Sequence, residues 1–377
     1  MSRIVKVEAL PISYREPTDH NRQRAVCLVK ITGQDGHVGW GECCAYFPEA
    51  TLAAAKLVEG LAAAVVLGAN ALHTEAIWLK MKEHSWWYGT GAGLASIAIS
   101  GIDIALWDLK GKTLGARVLD LLGGPVHDRL PAIASLHGTK ASIDEMAEDI
   151  ARHTSTGLQG AKVGFGKAGN AHLGFDRARD IEFAEKVIAA MGPGKSLMID
   201  LGVKNFWDIS TAINRARAFE SLGVAWLEEP LGHDDPEGYR ALRAACGIRI
   251  AYGEREWNAR GIQRILETGT VDVVGLDPGR VEGITGFRKA AELCALHRRQ
   301  ANAHNFSTAI VGAASQALSW ASPACRVLEL QPVYGPAQNE IVDRPIWHRD
   351  GFVNLPEGPG LGIEVDEALV RSMALVG

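Results

Sequence analysis

Four carboxylates close successive short apolar runs at a nearly constant interval: Asp200 ends SLMID, Glu228 ends VAWLE, Glu254 ends IAYGE and Asp277 ends VDVVGLD. The first three form an all-oxygen set suited to Mg²⁺, which keeps positions open for water and substrate. With no Cys or His among them, zinc is disfavoured. Lys162, on the run GLQGAKVGFG, can add positive charge beside an anionic substrate held at such a metal. His304 follows Asp277 by 27 residues, which places the two on neighbouring strand ends. A carboxylate behind an imidazole sets its tautomer and favours its charged form, the setting of a general base or acid. Glu329, one strand further on, offers a hydrogen bond at the substrate. Together these groups describe removal of a proton alpha to a carboxylate. The hard step is the ene-diolate, whose negative charge a divalent cation and an ammonium would stabilise.

The elements that must position these residues follow from the spacing. Intervals of 28, 26 and 23 residues suit one strand, one helix and two loops each time. Short apolar runs bounded by turn residues read as buried parallel strands, and a (β/α) barrel gathers the C-terminal ends of its strands at one mouth. Runs at 131–138 and 157–166 extend the series upstream, and runs at 300–306 and 326–332 extend it downstream, making eight strands. Helical patterns lie between them. In SIDEMAEDIARHTSTG, Ser142 and Glu145 suit a capping box and Gly157 a stop; similar patterns run over 175–191, 209–222, 236–245, 258–267 and 286–297. The first part of the chain follows another plan, with alternating strands (IVKVEAL, AVCLVKITG, HVGWGECC) before helices. Its last helix carries Ile99, Ile102, Leu106 and Leu109 as a buried stripe. The expected division is an α+β domain over 1–128, a barrel over 129–335, and a segment over 336–377 with short strands and Pro/Gly turns.

Bulk properties narrow the partners. A chain of 377 residues suggests about two domains. Its net charge of −5 gives no basic field for nucleic acid. The longest apolar stretch, 60–69, falls short of the roughly 20 residues that span a bilayer, and MSRIVKVEALPISY lacks a signal-peptide core. Six scattered cysteines without a CxxC pattern suit reduced thiols in the cytoplasm. A small carboxylate substrate is the expected partner, and a symmetric homo-oligomer the expected assembly.

The segments SGIDIALWDLKGK, GAKVGFG, MIDLG, WLEEP, YGE, LDPGRVEGITG, AHNF and LEL, in this order and spacing, resemble the mandelate racemase branch of the enolase superfamily over nearly the whole chain. The resemblance implies an α/β fold, a modified TIM barrel (β/α)7β under an N-terminal α+β capping domain, with the C-terminal stretch returning to the cap. It assigns Mg²⁺ to Asp200, Glu228 and Glu254, a catalytic dyad to His304 and Asp277, enolate stabilisation to Lys162, and a contact with the substrate carboxylate to Glu329. Periodicity does not choose between Glu228 and Glu229; family position favours Glu228.

Two departures bear on the reaction. Where relatives often carry Lys-x-Lys, this chain reads Lys162, Val163, Gly164, so the face opposite His304 shows no base. Gly202 stands where relatives often have Asn. One histidine suits a dehydratase of an aldonate or related sugar acid: it takes the alpha proton and, as imidazolium, protonates the departing 3-hydroxyl, a syn elimination to a 2-keto-3-deoxy acid. The alternative is a racemase or epimerase, with Lys167 supplying the second base. A metal-dependent hydrolase would want His-x-His on the first strand, where ASLHG has only His137. A non-catalytic relative would be expected to lack metal ligands. Specificity is expected from the loops at 13–24, 43–49 and 83–89; His20, Arg22 and Arg24 suit hydroxyls or a second anion, while Trp86 and Trp87 suit packing of cap on barrel.

Overall fold

The structure, a computed structural model, describes residues 2–89, 92–166, 172–202 and 207–375. The N-terminal part is a three-stranded antiparallel sheet, β1 (Ile4–Glu16), β2 (Arg22–Gly33) and β3 (Val38–Tyr46). Helices α1 (Pro48–Leu61), α2 (Thr74–His84) and α3 (Leu94–Leu114) pack on it, followed by the short α4 (Val118–Leu121). The alternation in HVGWGECC has a steric purpose. A Cβ at Gly39 would lie 2.1 Å from the Ala105 carbonyl oxygen and one at Gly41 2.0 Å from that of Gly101, so bare glycines let the backbone of α3 rest on the sheet. That close approach buries α3 nearly all round.

Eight parallel strands follow: β4 (Leu130–His137), β5 (Gly160–Gly164), β6 (Ser196–Asp200), β7 (Trp226–Glu228), β8 (Ile250–Tyr252), β9 (Val273–Leu276), β10 (Gln300–Ala303) and β11 (Cys325–Leu330). The sheet closes because β11 pairs in parallel with β4, Glu329 opposite Ile133. Seven helices alternate with the strands: α5 (Ile143–Ser155), α6 (Arg177–Met191), α7 (Ile209–Leu222), α8 (Pro236–Ala245), α9 (Ala259–Glu267), α10 (Gly283–Leu296) and α11 (Ala309–Ala321). The architecture is therefore the expected (β/α)7β barrel with a capping domain. Ile133, Met198, Trp226, Ala251, Val273 and Val327 fill its interior with an apolar plug. Side chains two residues further along each strand also point inward, and there the interior turns polar.

Local sequence explains the helix ends. Ser142 and Glu145 form the expected capping box of α5, and Gly157 takes φ +112° where that helix must stop. Helix α11 falls outside the six helical patterns legible in the barrel sequence. Ala309 through Trp320 are all buried, so the segment has no polar face to reveal a period. The stretch past 335 includes the short strands β12 (His348–Arg349) and β13 (Phe352–Val353), and also a helix, α12 (Glu367–Ser372), that the turn-rich reading did not anticipate.

Two buried carboxylates of the N-terminal part join it to the barrel. Asp103 accepts from Thr285 N–H (2.8 Å) and Oγ1 (2.7 Å) at the start of α10. Glu42 accepts from Thr308 Oγ1 (2.6 Å) and Val311 N–H (3.2 Å) at the start of α11. Each meets unpaired N–H groups and the positive end of a helix dipole. The C-terminal chain returns to the cap, where Ser13 N–H donates to Met373 O (2.8 Å), Leu375 N–H donates to Pro11 O (2.9 Å), and Lys30 pairs with Glu367 (2.6 Å).

Candidate active site

Strand register brings the sequence-selected groups to one end of the barrel. Gly164 pairs with Asp200, and Asp200 with Glu228, so these positions share a rung. Glu254 reaches the same level because Gly253, at φ +124°, turns the chain just past β8. Ligand oxygens of Asp200, Glu228 and Glu254 lie within 4.8 Å of one another. The structure also separates the two adjacent glutamates. Glu229 takes φ +45°, and its Oε2 is held by Arg255 Nη2 (2.6 Å) and Nε (2.9 Å). Burial and the neighbouring Glu254 push the Glu229 carboxyl up to about 7. Gly202, at φ +56°, donates its N–H to Asp200 Oδ1 (2.8 Å), a backbone shape that favours glycine or asparagine.

Lys162 sits at the centre of this charge. Its Nζ lies 2.9 Å from Glu329 Oε1, 3.1 Å from Glu228 Oε1 and 3.5 Å from Asp200 Oδ2. Burial opposes its charge, but Glu228, Glu329 and Asp200 outweigh that and hold it well above the ordinary lysine value. The ammonium is therefore fully charged where negative charge would develop. Glu329 does not face the mouth as expected. It is fully buried, its Oε2 accepting from Ser135 Oγ (2.8 Å) and its Oε1 from Asn302 Nδ2 and Lys162. In this geometry both of its carboxylate oxygens are engaged by neighbouring side chains, Lys162 among them.

Across the mouth His304 Nδ1 lies 2.8 Å from Asp277 Oδ2, and His304 Nε2 3.4 Å from Glu254 Oε2. Burial would lower the imidazole, but Glu254 and Asp277 raise it to about 10. Asp277 is fixed by Gly279 N–H (2.8 Å) and approached by the Tyr46 hydroxyl (3.5 Å), so the cap touches the dyad. A divalent cation fits the carboxylate cluster. Three like charges crowd together, and Glu254 Oε2 is buried without a hydrogen-bond partner, a condition that a bound cation relieves.

The loops divide. The β1–β2 hairpin reaches the barrel through Thr18, whose carbonyl oxygen is 3.0 Å from His137 Nδ1. His20 and Arg22 are exposed on its turn, whereas Arg24 folds inward to Asp19 (3.1 Å) and lies over the rings of Tyr46 and Phe306. Trp86 and Trp87 are 63% and 80% exposed, which overturns the expectation that they pack the cap on the barrel. Lys167 lies outside the described residues. The sequence reading missed how His137 is used in space. It pairs with Gly164 in the register of β4 and β5, and its imidazole lies on that glycine. The signal available in the sequence was the residue at the end of the preceding strand.

A capped (β/α)7β barrel with clustered carboxylates, a buried lysine and a His–Asp pair at the strand ends defines an enolase-type enzyme. Residues 4–123 match the mandelate racemase/muconate lactonizing enzyme N-terminal domain and residues 145–369 the enolase C-terminal domain-like family, and the chain belongs to this mandelate racemase/muconate lactonizing enzyme family of the enolase superfamily. It is 31% identical over 357 residues to D-galactarolactone cycloisomerase of Agrobacterium fabrum, covering 91% of this chain and 90% of that protein. It is 28% identical to D-gluconate dehydratase of Thermoproteus tenax, covering 98% and 74%. Among solved structures, a racemase from Streptomyces coelicolor with bound magnesium superposes with a TM-score of 0.87 at 25% identity, covering 99% of this chain and 100% of that one.

Proposed function

We propose that this protein is a Mg²⁺-dependent enzyme that removes the proton alpha to the carboxylate of a sugar acid and expels the 3-oxygen, giving a 2-keto-3-deoxy acid. The observation that carries this is the opposition, across one mouth, of His304 backed by Asp277 to Lys162 backed by Glu329. Asp200, Glu228 and Glu254 would hold the metal, which when bound supplies positive charge for the substrate carboxylate. His304 as neutral imidazole takes the C2 proton, with Asp277 keeping Nδ1 protonated so that Nε2 accepts. Lys162 stabilises the ene-diolate at fixed distance, with no reorganisation as charge develops.

The relatives include dehydratases and cycloisomerases, which adds a class to the expected alternatives. One chemical fact connects the two. If the departing 3-oxygen is a hydroxyl, water is lost and the enzyme is a lyase; if it belongs to a ring, the same bond changes open the ring and the product is an isomer. The hydroxyl case is favoured here, with ring-opening the second reading on the strength of the cycloisomerase likeness. Racemisation remains the third reading and is distinguished by interconversion of C2 epimers.

The test is a panel of aldonates, aldarates, their lactones and anhydro acids, incubated with the enzyme and Mg²⁺ and followed by NMR and mass. A dehydration product 18 Da lighter than its open-chain acid supports the proposal. Conversion confined to lactones or anhydro acids without mass change selects the isomerase, and C2 inversion alone the racemase. Activity that survives exhaustive chelation would remove the metal from all three.

A further inference from the structure

His137 lies beside Gly164 at the end of β4, with its ring against that glycine. Register puts His137, Gly164, Asp200 and Glu228 on one rung, so its side chain enters the interior at the level of the carboxylate cluster. It can lie there because position 164 has no side chain. A Cβ at Gly164 would be 2.5 Å from His137 Cδ2 and 3.3 Å from Nε2, so the ring occupies the volume that glycine vacates. Nδ1 lies 3.0 Å from the Thr18 carbonyl oxygen. A carbonyl only accepts, so Nδ1 carries a hydrogen and proton transfer falls to Nε2. Phe306 stands edge-on to the ring at 4.6 Å, and Thr18 is held by Glu16 through its Oγ1 (2.7 Å). The ring is thus oriented from cap and barrel together.

Its relation to His304 is also fixed by topology. The cation-site carboxylates end β6 and β7 and follow β8, while His304 follows β10 and His137 ends β4, with only β11 between those two strands. Inward from β11 comes Glu329, which holds Lys162 one rung below. His137 and His304 thus approach the same mouth from strands two apart, and Lys162 enters from β5 beside β4.

We propose that His137 is a second acid–base group of this site and hands its Nε2 proton to the departing 3-oxygen. The inference rests on the elimination reading above. The C2–H bond breaks, its proton passing to His304 and its electrons to the ene-diolate. The C3–O bond then breaks with its pair on oxygen, which takes the proton of the His137 imidazolium and leaves as water. The resulting enol ketonises by protonation at C3, and solvent reprotonates His137.

The experiment uses the Mg²⁺-loaded full chain and the sugar acid that the wild type converts, in D₂O, followed by ¹H NMR. His137→Gln should lower product formation by about 10²- to 10⁴-fold, the usual range for one acid–base group. Deuterium should still enter C2 of the remaining substrate, because His304 continues to form an ene-diolate that now returns. His304→Asn should lose both. Gly164→Ala, whose methyl pushes the ring aside while leaving the imidazole in the chain, should show the same split as His137→Gln and covers the case in which that variant does not fold. Near wild-type product formation in His137→Gln would overturn the proposal, as would joint loss of product and C2 exchange in both variants. If the wild type exchanges C2 but loses no water or ring oxygen from any acid, the elimination reading fails by itself. His137 is then read from stereochemistry: loss of exchange at one C2 configuration in His137→Gln supports it, and equal exchange of both overturns it. Neither exchange nor product with any acid would overturn both readings.

Discussion

At the residue scale the site is a contest between burial and charge. His304 in the metal-free protein is raised to about 10, because Glu254 and Asp277 outweigh the cost of burying an imidazolium. The sign follows directly. Since the folded value exceeds the ordinary one of about 6.5, the charged form adds stability that is complete at low pH and is lost as pH climbs through about 10. Mg²⁺ at Glu254 would neutralise the leading source of that shift, so histidine NMR should show the His304 value falling by at least one unit on metal saturation. An unchanged value would mean that the metal sits elsewhere. Activity with metal should rise with pH as the base becomes neutral. A second outcome concerns Glu254 itself. Glu254→Gln should weaken Mg²⁺ binding by calorimetry at least tenfold and turnover by more than a hundredfold. In chelator at neutral pH it should also melt lower than wild type, because Glu254 Oε2 lies 3.4 Å from His304 Nε2 and is the leading charge that holds the buried imidazolium. A melting temperature in chelator equal to or above that of wild type would show that crowding among the carboxylates outweighs the pair with His304.

Among the elements, α3 and the sheet it rests on decide whether the cap keeps its place. Gly41 has no room for a methyl group, since the nearest atom is a helix backbone oxygen that cannot rotate away. Gly41→Ala should therefore cost about 3 kcal/mol, at the upper end of ordinary overpacking, measurable by urea unfolding; a change below about 0.5 kcal/mol would show that the helix can slide. The same helix supplies Asp103 to the start of α10, so cap packing and barrel geometry are mechanically linked. Helix α11 carries the opposite lesson. Its thoroughly buried surface erased the periodicity by which its neighbours were legible, although Glu42 and Thr308 mark its start once the fold is known. Helices α7 and α8, by contrast, begin and end where the sequence pattern placed them, because each has one wet face.

For the whole molecule, no helix among the described residues is long and apolar enough to cross a membrane. The cap exposes Phe47 and the run Trp86, Trp87 and Tyr88, large aromatic surface that self-association would cover. Self-association with closed symmetry is the expected outcome, checked by sedimentation velocity at micromolar concentration. A dimer or larger species is predicted, with Trp87→Ala shifting the distribution toward monomer. A wild type that sediments as a monomer would refute this without touching the chemistry, since every residue assigned to the site comes from one chain.

The alternation of strand-closing acids with helical stretches pointed to a (β/α) barrel with those acids at one mouth, because βα units repeat on a length scale visible in one dimension. Residue type added the rest of that reading: hard oxygen donors for a divalent cation, and a carboxylate spaced one strand from a histidine. What tertiary structure decided were matters of direction and volume. A left-handed turn sends Glu229 to Arg255 and leaves Glu228 in the cluster. Closure of β11 onto β4 buries Glu329 against Lys162, at 2.9 Å. Gly164 looked like a missing base when read along its own strand; in space it is the cradle of an imidazole from the strand beside it. Linear spacing records which strand end a residue occupies, but which neighbour fills a vacated volume depends on register between strands, and that is set only when the barrel closes.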